Sequence, residues 1–219
     1  MDGVLTDTAA THARAWKQTF DAVLRDELGP DAAPFDADKD YARYVDGKPR
    51  EDGVRDFLAS RGIHPDEAGI TRIGNEKNEL VQQLIDTEGV KVYDGSVRFV
   101  RAVRDAGQAT AVVSSSANTQ RILHAAGIED LFDVRVDGVV LATEHLRGKP
   151  APDSFLRAAS QLGVEPANGA VFEDAIAGVA AGHAGGFLLT VGVDRLDQAD
   201  ALRENGADIV VKDLAELLS

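Results

Sequence analysis

From about residue 90 onward, short apolar runs alternate with segments of helical periodicity, and this alternation restricts the fold of the 219-residue chain more than any other feature. The runs lie at 109–113, 134–136, 170–172, 187–193 and 209–211. Helical patterns accompany them at 97–103, 119–126, 155–162, 178–183 and 198–203. Short apolar strands separated by helices predict parallel pairing, with both faces of the sheet covered. In such sheets ligands bind outside the carboxyl ends of the strands.

The first part of the chain has a different period. Trp16, Phe20, Val23, Leu24 and Leu28 fall at helical spacing, and Gly29-Pro30 stops the run. Val54, Phe57 and Leu58, followed by Arg61-Gly62, predict a second helix. Leu80, Val81, Leu84 and Ile85 predict a third. No strand pattern appears between residues 8 and 89, and the segment 29–40, rich in Pro, Ala and Asp, reads as a loop. The layout expected is an α/β core from residues 1–8 and 90–219, interrupted by a helical domain over 9–89.

The formal charge of −14 disfavours nucleic acid and anionic membrane surfaces as partners. It also repels phosphorylated ligands at long range, so any phosphate site must be built locally from cations and backbone N–H groups. No apolar run is long enough to cross a membrane, and the opening MDGVLTDT has no basic, apolar leader. Cysteine is absent, which excludes disulfides, thiolate catalysis and Cys-based zinc sites and suits a cytoplasmic location.

Four segments at expected strand ends carry the polar chemistry. They are Asp2-Gly3-Val4-Leu5-Thr6-Asp7-Thr8, Ser114-Ser115-Ser116, Gly148-Lys149-Pro150-Ala151-Pro152-Asp153 and Phe172-Glu173-Asp174 with Gly178 behind it. Carboxylates with few other donors suit a hard cation such as Mg2+, and a lysine and serine at strand ends suit phosphate oxygens. Each segment alone also has a plainer reading: an Asp-Gly turn, a serine N-cap, a solvated lysine, an acidic capping pair.

Taken in order, the segments resemble the motifs of the haloacid dehalogenase superfamily, and more closely its β-phosphoglucomutase-like branch, with a helical cap inserted after the first motif. The resemblance covers essentially the whole chain and implies a parallel-sheet core performing Mg2+-dependent phosphoryl transfer on a small phosphorylated sugar through an aspartyl-phosphate. By that resemblance Asp2 is the general acid/base and offers its backbone carbonyl to Mg2+, Ser114 hydrogen-bonds the transferring group, Lys149 neutralises it, and Glu173 and Asp174 hold the cation. Thr8 stands at the cap hinge. Arg50 matches a cap arginine that holds the phosphate not in transfer, and His12 and Lys77 match residues linking cap closure to the core site. Ser115, Ser116 and Asn118 fall on the substrate-binding loop, where Ala117 replaces the family's lysine.

The family's nucleophile is the first Asp of Asp-x-Asp, which the motif sets one residue before Met1, on a strand lying upstream. The expectation is a start placed late, at a methionine occupying the x position, with no aspartyl-phosphate formed by the chain as written. Mutase chemistry is favoured. A sugar-phosphate phosphatase and an inactive sugar-phosphate-binding protein are the alternatives. Trp16 is expected in the core, His64, His124, His145 and His183 in structural roles, and the assembly as a monomer or weak homodimer.

Overall fold

Apolar periodicity becomes several hydrophobic clusters in the computed structural model, which describes Met1 to Leu218, and the largest of them joins Ala15, Val81 and Ile85 to the later part of the chain. The first part of the chain is helical: α1 (Ala9–Leu28), α2 (Arg50–Ser60) and α3 (Glu67–Glu88). Its cluster is aromatic. Trp16 stacks on Phe20 with ring centroids 4.8 Å apart, and Phe57 lies 4.3 Å from Phe20 and 4.9 Å from Phe35. α3 begins well before its predicted apolar stretch, because the Asp66 side chain accepts the Gly69 N–H at 2.8 Å and caps it. Between α1 and α2 the expected loop is largely irregular but leads into one wide helical turn, Tyr41–Val45, which the sequence pattern did not indicate.

The remainder alternates strand and helix as the pattern requires: α4 (Asp94–Asp105), β1 (Ala111–Val113), α5 (Thr119–Ala126), β2 (Val134–Val136), α6 (Gly138–Thr143), α7 (Asp153–Leu162), β3 (Ala170–Glu173), α8 (Ile176–Ala184), β4 (Leu189–Val193), α9 (Ala199–Glu204) and β5 (Ile209–Val211). All pairings are parallel, β1 with β2 and β3–β4–β5 as a second group. Two predicted strands begin late for local reasons. Thr110 gives its N–H to the Asp133 carboxylate at 2.8 Å, and the Leu188 N–H goes to Pro166 and Gly169 carbonyls, so neither joins a ladder. α6 was not predicted. It is only six residues long, and Asp137 starts it by accepting the Val139 and Val140 N–H groups.

The strand tips and the loops after them face the helical unit. An apolar cleft of about 390 Å3 runs between the facing edges of β1 and β3, with Val4, Leu5, Val112, Val171 and Phe172 in its walls. No helix among the described residues is long and apolar enough to cross a membrane.

Phe20 is fully buried at the centre of the aromatic cluster, whereas Leu28, on the same helix, is 54% exposed. Phe20→Ala should therefore destabilise the protein by about 3–5 kcal/mol through the cavity it leaves, and Leu28→Ala should change stability by no more than ~0.5 kcal/mol. Urea unfolding midpoints check both.

Candidate active site

Asp2 lies in the loop that packs beneath α1. Its carboxylate accepts a short hydrogen bond from Thr8 Oγ1 and one of 3.3 Å from Ser114 Oγ, and His12 Nε2 stands 3.5 Å away. Thr8 occupies the N-cap position of α1 but makes no side-chain cap, because its hydroxyl is committed to Asp2. Thr6 backs it, Oγ1 to Oγ1 at 2.8 Å. Burial by itself would raise the Asp2 carboxyl. His12 and Thr8 outweigh it and hold the group well below the usual carboxylate range.

One turn into α1, His12 Nδ1 meets Lys77 Nζ from α3 at 2.8 Å, and that ammonium lies 4.8 Å from the Trp16 ring centroid. Burial, with Arg50 nearby, drops Lys77 to about 7 against the opposing pull of Asp2. Burial and Lys77 lower His12 as well, so its imidazole is neutral at physiological pH.

The other strand tips add to this group. Ser114 follows β1, and its N–H continues the ladder to the Val136 carbonyl at 3.0 Å. Lys149 and Glu173 are both buried and form a close ion pair. Gly178 permits that orientation, since a Cβ there would lie 2.4 Å from Glu173 Cδ. Asp174 is brought against the first loop, where a Cβ on Gly3 would lie 1.7 Å from its Oδ2. Burial first, then the charges of Asp46 and Glu173, raise the Asp174 carboxyl far above its ordinary value.

The helical unit closes over these residues and leaves a cavity of about 980 Å3. Ser115 Oγ donates to the Gly47 carbonyl at 2.8 Å. Pro49 seats on Gly148, where a Cβ would lie 2.0 Å from Pro49 Cγ. Asn118 Nδ2 reaches Asn78 Oδ1 of α3 at 2.6 Å. Arg50 lines the cavity and holds Glu51 Oε1 at 2.8 Å.

The residues singled out in the sequence thus separate into three groups. Asp2, Ser114, Ser115, Ser116, Lys149, Arg50 and His12 line the cavity together with Glu173 and Asp174. Lys77 and Thr8 are buried behind it, against His12 and Asp2. Asn118 faces Asn78 and Gln82 of α3, joining the two units instead of lining the cavity. Trp16 belongs to the aromatic cluster and also lines the cavity. Tyr41 was not anticipated. It stands on the wide turn outside any periodic pattern, and only the fold brings it to the cavity wall.

Among the described residues no three acidic or histidine side chains are arranged as a metal cage. Glu173 turns to Lys149, and Asp2 turns to Thr8 and Ser114. The donor chemistry fits a hard cation at Asp174, a half-buried carboxylate whose neighbours include Asp46, Glu173 and Asp2.

A haloacid dehalogenase-like hydrolase model matches residues 1–186. A β-phosphoglucomutase of Mycobacterium bovis is 53% identical over 233 aligned positions, covering all of this chain and 89% of that protein. The Bacillus subtilis β-phosphoglucomutase is 32% identical over 99% of this chain and 88% of that one. The crystal structure of a β-phosphoglucomutase from Clostridium difficile superposes with a TM-score of 0.81 at 28% identity, over 99% of this chain and 89% of that one. The chain belongs to the haloacid dehalogenase-like hydrolases, a family of α/β enzymes. Within it the chain falls in the β-phosphoglucomutase-like branch, and it is an enzyme of the phosphomutase–phosphatase kind.

Lys77 gives the site a pH signature. Its folded value of about 7 lies below the ordinary 10.5, so below pH 7 the ammonium is charged in both states and its burial opposes folding in full. Between pH 7 and 10.5 the unfolded chain binds more protons, and stability rises with pH. Relative to Lys77→Met, the native protein should gain on the order of 2 kcal/mol between pH 7 and 9.5 in urea titrations.

Proposed function

We propose that this protein transfers a phosphoryl group between hydroxyls of a small phosphorylated sugar, as a β-phosphoglucomutase does, through an aspartyl-phosphate. The observation that carries the proposal is the joining of Asp2 from the first loop, Ser114 from the tip of β1 and Lys149 from the loop between α6 and α7 in one cavity, closed by a helical cap that contributes Arg50. The 53% identity to a protein named β-phosphoglucomutase supports the same reading.

The attacking carboxylate is the first Asp of the family's Asp-x-Asp motif. Its oxygen bonds to phosphorus as the bond from phosphorus to the sugar oxygen breaks. Asp2 in its protonated form delivers its proton to that leaving oxygen. In the return step a sugar hydroxyl attacks the phosphoryl group, its proton passes to the Asp2 carboxylate, and the aspartyl bond breaks. In the closed cavity Asp2 is held as the carboxylate, the form from which the second role starts. Ser114 donates to an equatorial oxygen, and Lys149 supplies positive charge there. A divalent ion held by Asp174 and the Asp2 main-chain carbonyl would neutralise phosphoryl charge when bound. Arg50 presents a bidentate guanidinium to the second phosphate, in place of Glu51.

Native, full-length protein given β-glucose 1-phosphate with Mg2+ and a trace of glucose 1,6-bisphosphate should produce glucose 6-phosphate. Inorganic phosphate released without glucose 6-phosphate would assign the protein to the phosphatases instead. Arg50→Ala should reduce mutase turnover about a hundredfold while changing p-nitrophenyl phosphate hydrolysis less than about threefold. Equal losses on both substrates would remove Arg50 from phosphate positioning.

A further inference from the structure

The segments that carry Asp2 and Asp174 are both held by their main chains from one further loop, Asp194 to Gln198, between β4 and α9. Arg195 Nε donates to the Gly3 carbonyl at 2.8 Å. Three residues on, Gln198 Nε2 donates to the Asp174 carbonyl at 3.1 Å. The two segments touch, since a Cβ on Gly3 would lie 1.7 Å from Asp174 Oδ2. Neither Arg195 nor Gln198 lines the cavity, so the spacing of the two segments is set from behind it.

This loop is firmly built. Asp194 is buried, its N–H donates to the Val211 carbonyl at 2.8 Å, and its carboxylate accepts the Gln198 N–H at 2.7 Å and pairs with Lys212 at 2.8 Å. Lys212 also holds Asp197, whose φ of +55° is uncommon for a residue with a side chain. The Arg195 guanidinium lies 3.7 Å from the Tyr93 ring centroid, and its Nη1 donates to the Lys212 carbonyl at 2.7 Å. Tyr93 in turn donates its hydroxyl to Asp7 at 3.1 Å. One guanidinium thereby ties Gly3 to the end of β5 and to the residues where the chain leaves the α/β part and returns to it. Its Nη2 is buried without a hydrogen-bond partner. An apolar side chain would fill that space with no donor left unpaired, so what arginine adds is the aim of Nε and Nη1.

We propose that Arg195 is a positioning residue for phosphoryl transfer. With Gln198 it sets the distance between the Asp2-Gly3 and Asp174 main chains, and so the place where the Asp2 carbonyl and the Asp174 carboxylate would meet a divalent ion. Groups standing behind cation ligands are worth about tenfold to a hundredfold in metal affinity or activity. This assignment rests on the phosphoryl-transfer reading above.

The test compares native, full-length protein with Arg195→Lys, Arg195→Met and Gln198→Ala. Calorimetry with magnesium chloride alone gives the cation affinity, and assays with β-glucose 1-phosphate and a trace of glucose 1,6-bisphosphate at saturating Mg2+ give kcat and KM. Arg195→Lys keeps the charge and loses the fork, and Gln198→Ala removes one hydrogen bond from a half-buried side chain. Each of the three variants should weaken Mg2+ binding about tenfold and lower kcat about tenfold, with KM changed less than about threefold. If Arg195→Met does not fold, the other two variants decide. Cation affinity and kcat unchanged in Arg195→Lys and Gln198→Ala would overturn the assignment. So would a raised KM at unchanged kcat, which marks a substrate contact. Unaltered protein that binds Mg2+ but makes no glucose 6-phosphate would remove the sugar-phosphate reading while calorimetry still judges Arg195, and the two failures are thereby distinguished.

Discussion

Negative charge confined in a closed cavity is the constraint on which the rest of this structure depends. Asp2, Asp46, Glu173 and Asp174 face one space, and the cation lying among them, Lys149, is already paired with Glu173. Burial removes the water that would screen these groups, so their mutual repulsion appears as raised proton affinity at Asp46, which reaches about 7, and at Asp174. Asp2 escapes because hydrogen bonds and charge from His12, with Thr8, oppose its burial.

Closure itself depends on absent side-chain atoms. Gly3, Gly148 and Gly178 each sit where a Cβ would collide with Asp174, Pro49 or Glu173. The first and third allow carboxylates to approach backbone, and the second allows the cap to seat on the core. Hydrogen bonds from Ser115 to Gly47 and from Asn118 to Asn78 join the two parts of the chain, and Ala15, Val81 and Ile85 of α1 and α3 also pack into the apolar cluster of the α/β part.

Ser114 and Glu173 were legible because each lies at the end of an apolar strand run, and strand tips in a parallel sheet share one edge, whereas Lys149 lies in the loop between α6 and α7 and stood out through its motif. The cap contributions were less legible. Arg50 stood out through its motif, while Tyr41 lies on a turn with no periodic apolar signal, and Asn118 looked like a ligand residue until α3 was seen against it. Sequence order names Glu173 as an acid, but cannot tell that its nearest partner is Lys149.

The sequence by itself determined the alternation of strand and helix, the helical insertion and the identity of the acids, hydroxyls and cations at the strand ends, because periodicity and local capping act within a few residues. Only the tertiary structure decided which charges neutralise one another and which remain unmatched. Asp46 stands between a wide turn and a left-handed glycine, and no local rule separates it from a solvated acid. Its place at the cavity wall results from contacts of its loop with residues more than sixty positions away along the chain, at Ser115, Gly148 and Ala175, where long-range packing sets the distances.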